Sequence, residues 1–179
     1  MTKYVAFLRG INVGGHIVKK DQLQRAFILL GFQNVTAYKQ SGNIIFDTDV
    51  SKTEEVEAKI AVELRSILGY DIAVFVRTLS QLRAFVELDP FKGQEKEGDS
   101  FLVTMLQNTV EPPLTLPIII PKSTAQVISA RGREIFSVTH GGGEGAMPNP
   151  FIESKLTVKA TTRNLNIIRE ILEKFGNPE

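Results

Sequence analysis

The sequence predicts an α+β fold made of two ferredoxin-like, split βαβ halves packed together, residues 1–78 and 79–179. Two observations carry this. Between Tyr4 and Arg77 the hydrophobic period alternates between two and 3.6 in the order βαββαβ. The remainder offers three strands and two or three helices, a permuted or degraded copy of that order with no sequence repeat behind it. A chain of 179 residues suits one domain or two small ones sharing a core.

Tyr4 to Leu8 is apolar at every position, which predicts a central strand covered on both faces. Leu23, Ala26, Phe27 and Leu30 form one helical stripe, and Gly31 stops that helix. Asn34 to Lys39 and Asn43 to Asp47 read as extended runs joined by a tight turn at Gln40-Ser41-Gly42-Asn43. Ser51-Lys52-Thr53-Glu54 predicts a capping box for a second helix with the stripe Val56, Ile60, Leu64, Ile67 and a stop at Gly69. Asp71 to Arg77 alternates as a strand. A third helix is expected after Ser80, burying Leu82, Phe85 and Val86 and ending at Asp89-Pro90.

Phe91 to Asp99 reads as a charged boundary or surface loop, followed by a strand over Ser100 to Gln107. Pro112, Pro113, Pro117 and Pro121 exclude regular structure through most of the next stretch. Ala125 to Ala130 and Glu134 to His140 form a hairpin about Arg131-Gly132-Arg133. Gly141 to Gly145 is a lid or a linker, and Pro148 to Leu156 is a short helix. The closing helix takes Thr162 as N-cap and the stripe Leu165, Ile168, Leu172, Phe175 before Gly176.

Composition excludes several classes of function. There is no cysteine, hence no disulfide, thiolate nucleophile or cysteine-based metal centre, and a reducing cytoplasm fits. No apolar run approaches the ~20 residues that span a bilayer, and Met1-Thr2-Lys3 leads into a strand instead of a signal peptide. No membrane, metal or cofactor is therefore expected. The net charge is +1, yet residues 1–40 carry six basic side chains against the single Asp21. That asymmetry favours a local phosphate or carboxylate site near the opening loop over a broad polyanion surface, with scattered solvated lysines as the plain alternative.

The topology sharpens the location. With the third strand inserted between parallel first and second strands, the loop after the first strand and the turn after the second share one end of the sheet. Arg9, Asn12, Gly14, Gly15 and Lys19 then face Gln40, Ser41 and Asn43. Glycines admit a ligand to the backbone, helix N-terminal amides point outward, and the cations add charge. The spacing matches neither G-x-G-x-x-G nor the Walker pattern, so the glycines equally suit a sharp turn.

The βαββαβ order also raises an RNA-binding sheet. The first and third strands lack the basic, glycine and aromatic signature of such sheets, and Tyr4, Tyr38 and Phe46 read as core or interface aromatics. His16 and His140 are the only histidines; either can serve as a general base, and a surface position is the bland alternative. Ser41 and Ser137 lack nucleophile-elbow spacing. Arg163 and Asn164 fall in the first turn of the closing helix, where a cation opposes the dipole, so Arg163 is expected to bind an acid, a phosphate or another segment.

Tyr4-Val5-Ala6-Phe7-Leu8-Arg9-Gly10-Ile11-Asn12-Val13-Gly14-Gly15, Gln40-Ser41-Gly42-Asn43 and Thr162-Arg163-Asn164-Leu165-Asn166 together resemble the bacterial and archaeal family called domain of unknown function 1697. The resemblance runs through essentially the whole chain. It implies an α+β fold of two ferredoxin-like halves and no established activity, so no catalytic residue comes with it. Leu165 stands where that family typically has Trp, and Met147-Pro148-Asn149-Pro150 departs from its Ser-rich, Lys-containing helix.

The expected function is binding of a phosphate-bearing small molecule or nucleic acid at the glycine loop, through Arg9, Asn12, Gly14, Gly15, Lys19, Gln40, Ser41, Asn43, Arg163 and Asn164. An enzyme acting on a small anionic substrate and a protein-interaction module without a small ligand are the alternatives. Oligomeric state and ligand identity are not encoded legibly.

Overall fold

The computed structural model describes residues 1–12, 17–39, 42–94, 96–109, 114–141 and 147–176. They form a mixed α/β fold with two antiparallel sheets and five helices, divided into compact units Met1–Leu82 and Arg83–Glu179.

In the first unit, β1 (Thr2–Arg9), α1 (Lys20–Leu29), β2 (Gln33–Ala37), β3 (Asn43–Thr48), α2 (Thr53–Leu68) and β4 (Ala73–Thr78) follow the predicted order. The sheet runs β2-β3-β1-β4 with every neighbour antiparallel, so β1 and β2 are parallel with β3 between them. Tyr4 to Leu8 are buried on both faces of the sheet. Tyr4, Ala6, Leu8, Ile44, Phe46, Val74 and Val76 share one core with α1 and α2. Tyr4 and Phe46 lie in that core, stacked 5.8 Å apart, and the Tyr4 hydroxyl donates to Val50 O at 2.8 Å. They are not an open stacking platform.

Two helix details differ from the sequence expectation. Gly31 ends α1 in the left-handed region as expected, with Phe32 N–H returning to Phe27 O. Ser51, however, does not cap α2: the N-cap position is Lys52, with no side-chain bond. The stripe of α2 advances in steps of four through Val56, Ile60 and Leu64 to Leu68, which leaves Ile67 exposed.

The second unit contains β5 (Ser100–Leu106), β6 (Ile118–Ile119), β7 (Ala125–Arg131), β8 (Glu134–Thr139), α4 (Asn149–Leu156), β9 (Ala160–Asn164) and α5 (Leu165–Phe175). Its antiparallel order is β6-β7-β8-β5-β9. Thus β5, β7, β8 and β9 hold the places that β1, β2, β3 and β4 hold in the first unit. The proline-bearing stretch carrying β6 stands where α1 would be. Phe91, expected in a surface loop, is buried against Phe101 and Phe136.

The correspondence reaches single residues. Val5 pairs with Arg77 and Val103 with Arg163. On the edge strand β4, the α2 residue Glu57 accepts Val76 N–H at 2.7 Å while Arg77 donates to Val76 O at 2.8 Å. On the edge strand β9, the α4 residue Glu153 accepts Ala160 N–H at 2.9 Å and Arg163 donates to Thr162 O at 2.9 Å. Both edges thereby have outward backbone groups engaged by side chains, which blunts further strand addition.

The helices that follow are capped alike. Thr78 and Gln81 form a reciprocal capping box at the start of α3 (Leu79–Glu87), so the helix begins ahead of the start after Ser80 that the sequence suggested. Asn164, not Thr162, caps α5 by accepting Asn166 N–H at 2.9 Å. Thr162 belongs to β9, its hydroxyl paired with that of Thr104 at 2.8 Å. Arg77-Thr78-Leu79 and Arg163-Asn164-Leu165 are therefore one local repeat.

Two stability outcomes follow from these contacts. Thr78→Ala should cost about 1 kcal/mol in chemical denaturation while Ser80→Ala stays within about 0.5 kcal/mol; equal losses would contradict the cap. Glu57→Leu removes the acid 3.5 Å from the buried Arg77 and should cost about 3 kcal/mol or more, with Glu57→Leu/Arg77→Met recovering a large part of it. An additive double mutant would contradict the pairing.

Candidate functional site at the end of the first strand

The first unit gathers several polar groups where β1 ends. Leu8 N–H donates to Gly42 O at 2.7 Å, and Phe7 is in register with Asn43, so the tip of the β2–β3 hairpin sits beside Arg9. Gly10, at φ 90°, and Asn12, at φ 60°, follow with positive φ. Asn12 tolerates the left-handed region because its short amide bonds locally: its Oδ1 accepts Val18 N–H at 2.7 Å. That bond closes the loop, and Val18 anchors it in the core.

Lys19 is the extended N-cap residue of α1, its N–H held by Gln22 Oε1 at 3.0 Å. The Lys19 side chain is exposed, Lys20 follows it, and Asp21 is the acidic residue of the first turn. Arg9 is half-buried at the strand end, paired in register with Ala73. Asn43 is buried, and its amide reaches Tyr38 O at 3.4 Å, so its role is to hold the turn. Gly14, Gly15, Gln40, Ser41 and His16 lie outside the described residues.

Arg163 and Asn164 belong to the second unit and are placed differently from the sequence expectation. Arg163 is on β9, not in a helical turn, so it does not oppose a helix dipole from within the first turn. Its Nη1 donates to Thr161 Oγ1 at 2.8 Å and to Thr162 O, and burial lowers its pKa to about 10. Asn164 is occupied as the α5 cap. The sequence signal for both roles was the Arg-Thr-Leu/Arg-Asn-Leu repeat, short enough to pass unnoticed without the strand register.

His140 follows β8, and its Nδ1 lies 3.0 and 3.1 Å from the two oxygens of the Asp99 carboxylate, whose side chain is buried. The same carboxylate accepts Lys96 N–H at 3.2 Å. A His–Asp pair was not anticipated because 41 residues separate the partners. Among the described residues no trio of His, Asp or Glu is placed to hold a metal, and no helix is long and apolar enough to cross a membrane.

Fold and corner together define a two-unit α/β protein with a polar, cation-flanked loop at the end of its first strand. The chain belongs to the family described as protein of unknown function DUF1697, whose model matches residues 1–136. That span takes in β1 through the start of β8 and ends before β9, so Arg163 and Asn164 fall beyond it. A solved conserved bacterial protein from Streptococcus pneumoniae has a similar fold, with a TM-score of 0.68 and 21% identity over 96% of this chain and 97% of that one. No curated protein matches.

The loop closure has a direct test. Asn12→Gly keeps the left-handed backbone accessible but removes the acceptor, so native-state hydrogen exchange at Val18 should accelerate by about tenfold, the equivalent of about 1.4 kcal/mol, with global stability nearly unchanged. Unaltered exchange would show that the side chain does not close the loop.

Proposed function

We propose that the chain is a cytoplasmic binding protein, built from two ferredoxin-like halves, that receives a phosphate-bearing ligand at the β1–α1 loop. The ligand is a nucleotide or a nucleic-acid end. The observation that carries this reading is the Asn12 Oδ1 to Val18 N–H bond at 2.7 Å, which ties the residues just after β1 to the approach to α1, with Arg9 before it and Lys19 after it. A helix start favours anions through its exposed amides and dipole, and Lys19 and Arg9 supply full charges. The strand order of both units supports the ferredoxin-like description, and the cysteine-free sequence supports a reducing compartment.

A second reading, an enzyme acting on a small anionic substrate, draws on His140. A carboxylate at Nδ1 fixes the ring so that Nε2 can carry the proton traffic. Turnover of a phosphate compound that disappears in His140→Gln would favour it over simple binding.

The binding reading is tested by thermal shift at low salt with nucleotides, sugar phosphates, inorganic phosphate and short DNA and RNA. A ligand at 100 times its Kd should add about 2.7 kcal/mol and raise Tm by several degrees, and Arg9→Ala should abolish the gain. A shift that survives Arg9→Ala, or none with any compound, would overturn the assignment.

A further inference from the structure

Strand register brings His140 and Asp99 together in the second unit. Ser100 pairs with Thr139 in the antiparallel ladder of β5 and β8, so the residues just before β5 and just after β8 stand side by side. The backbone of His140 is held too, its N–H donating to Thr124 O at 3.2 Å. A carboxylate can only accept, so Nδ1 carries the ring proton and the lone pair falls on Nε2. The Asp99 side chain is 2% exposed and its Oδ2 accepts Lys96 N–H, which fixes the acid behind the ring. The His140 side chain is 38% exposed, and among the described residues no hydrogen bond occupies Nε2. An accessible imidazole with its tautomer set by a buried acid is an activated nucleophile.

Two turns next to the pair carry cations. Lys96 opens the turn closed by Asp99 N–H to Lys96 O at 3.1 Å, and Lys122 lies in the turn closed by Ser123 N–H to Ile120 O at 3.2 Å, just before Thr124. Both lysines are exposed, and apart from Asp99 the two turns hold one acid, Glu97. A nucleophilic nitrogen near two cations suits an electrophile that arrives as a dianion.

We propose that His140 Nε2 accepts a phosphoryl group from a small acyl phosphate or phosphoramidate and holds it as a phosphohistidine. The Nε2 lone pair forms the bond to phosphorus while the bond from phosphorus to the leaving group breaks, and that electron pair departs with carboxylate or ammonia. The proton stays on Nδ1, where the Asp99 carboxylate offsets the positive charge that the ring acquires. This step uses the nitrogen to which the enzyme reading gives a proton, but it requires neither turnover nor a ligand at the β1–α1 loop.

Incubation of the full chain with phosphoramidate, followed by intact mass measurement and phosphorus NMR, tests the proposal. His16 is the one other histidine and serves as an internal reference. A single phosphoryl group should appear on Nε2 of His140, formed about tenfold or more faster than on His16 and than on His140 in urea-unfolded protein. The label should persist in His16→Gln, vanish in His140→Gln, and form about tenfold more slowly in folded Asp99→Asn. The comparison with unfolded wild-type chain decides the matter even where a variant fails to fold. No label, attachment at Nδ1, or equal rates on the two histidines or in folded and unfolded chain would each overturn the proposal.

Discussion

One backbone hydrogen bond, made once in each unit, fixes what stands at the end of that unit's first strand. Leu8 N–H to Gly42 O, and its counterpart Leu106 N–H to Arg133 O, fasten a hairpin tip to the end of the first strand of each unit. The bond depends on register. Because Tyr4 to Leu8 are buried on both faces of the sheet, a slip of one residue would exchange side chains between two differently filled environments. The register cannot drift, so the tip of the hairpin cannot leave the strand end.

The two units share this strand plan and differ in what they place at the corner. In the first, the β1–β2 connection contains α1, with Asn12 accepting Val18 N–H ahead of a helix start that carries Lys19 and Lys20. In the second, the corresponding connection carries prolines, which cannot donate within a helix, and the helix gives way to a stretch that contributes Leu114 and Leu116 to a cavity wall. The neutral Asn43 of one hairpin is Glu134 in the other. The edges, by contrast, are alike: Glu57 with Arg77 and Glu153 with Arg163 engage the outer strand backbone in the same manner. Edge protection is a requirement of any open sheet, whereas corner chemistry is free to vary.

How much of this could be read from the residues follows from the strength of each local signal. The first unit was legible because its periods are clean: β1 is apolar throughout, α1 and α2 carry spaced stripes, and Gly31 and Gly69 punctuate them. Ser51 and Ser80 misled because a hydroxyl near a helix start is common, and which hydroxyl caps is settled by strand register; Thr78 ends β4 and so takes the role. β9 was hidden because Thr161-Thr162-Arg163-Asn164 looks polar, although Thr162 is buried against Thr104. Arg9, Asn12 and Lys19 stand out in the sequence by their spacing after an apolar strand, whereas the Asn12–Val18 bond has no local sequence signal. The duties of Asn43 as a turn holder, Arg163 as an edge residue and Glu134 as a buried acid depend on contacts between distant segments, which no local pattern encodes.

The central claim is that the corner after β1 is where an anion binds, and backbone amide NMR during titration with inorganic phosphate tests it most directly. The account predicts saturable shifts confined to the amides around Arg9, Asn12, Val18, Lys19 and Gly42, weakening with added salt as a charged site should. Shifts spread evenly over exposed lysines, or concentrated on β9 around Arg163, would contradict it.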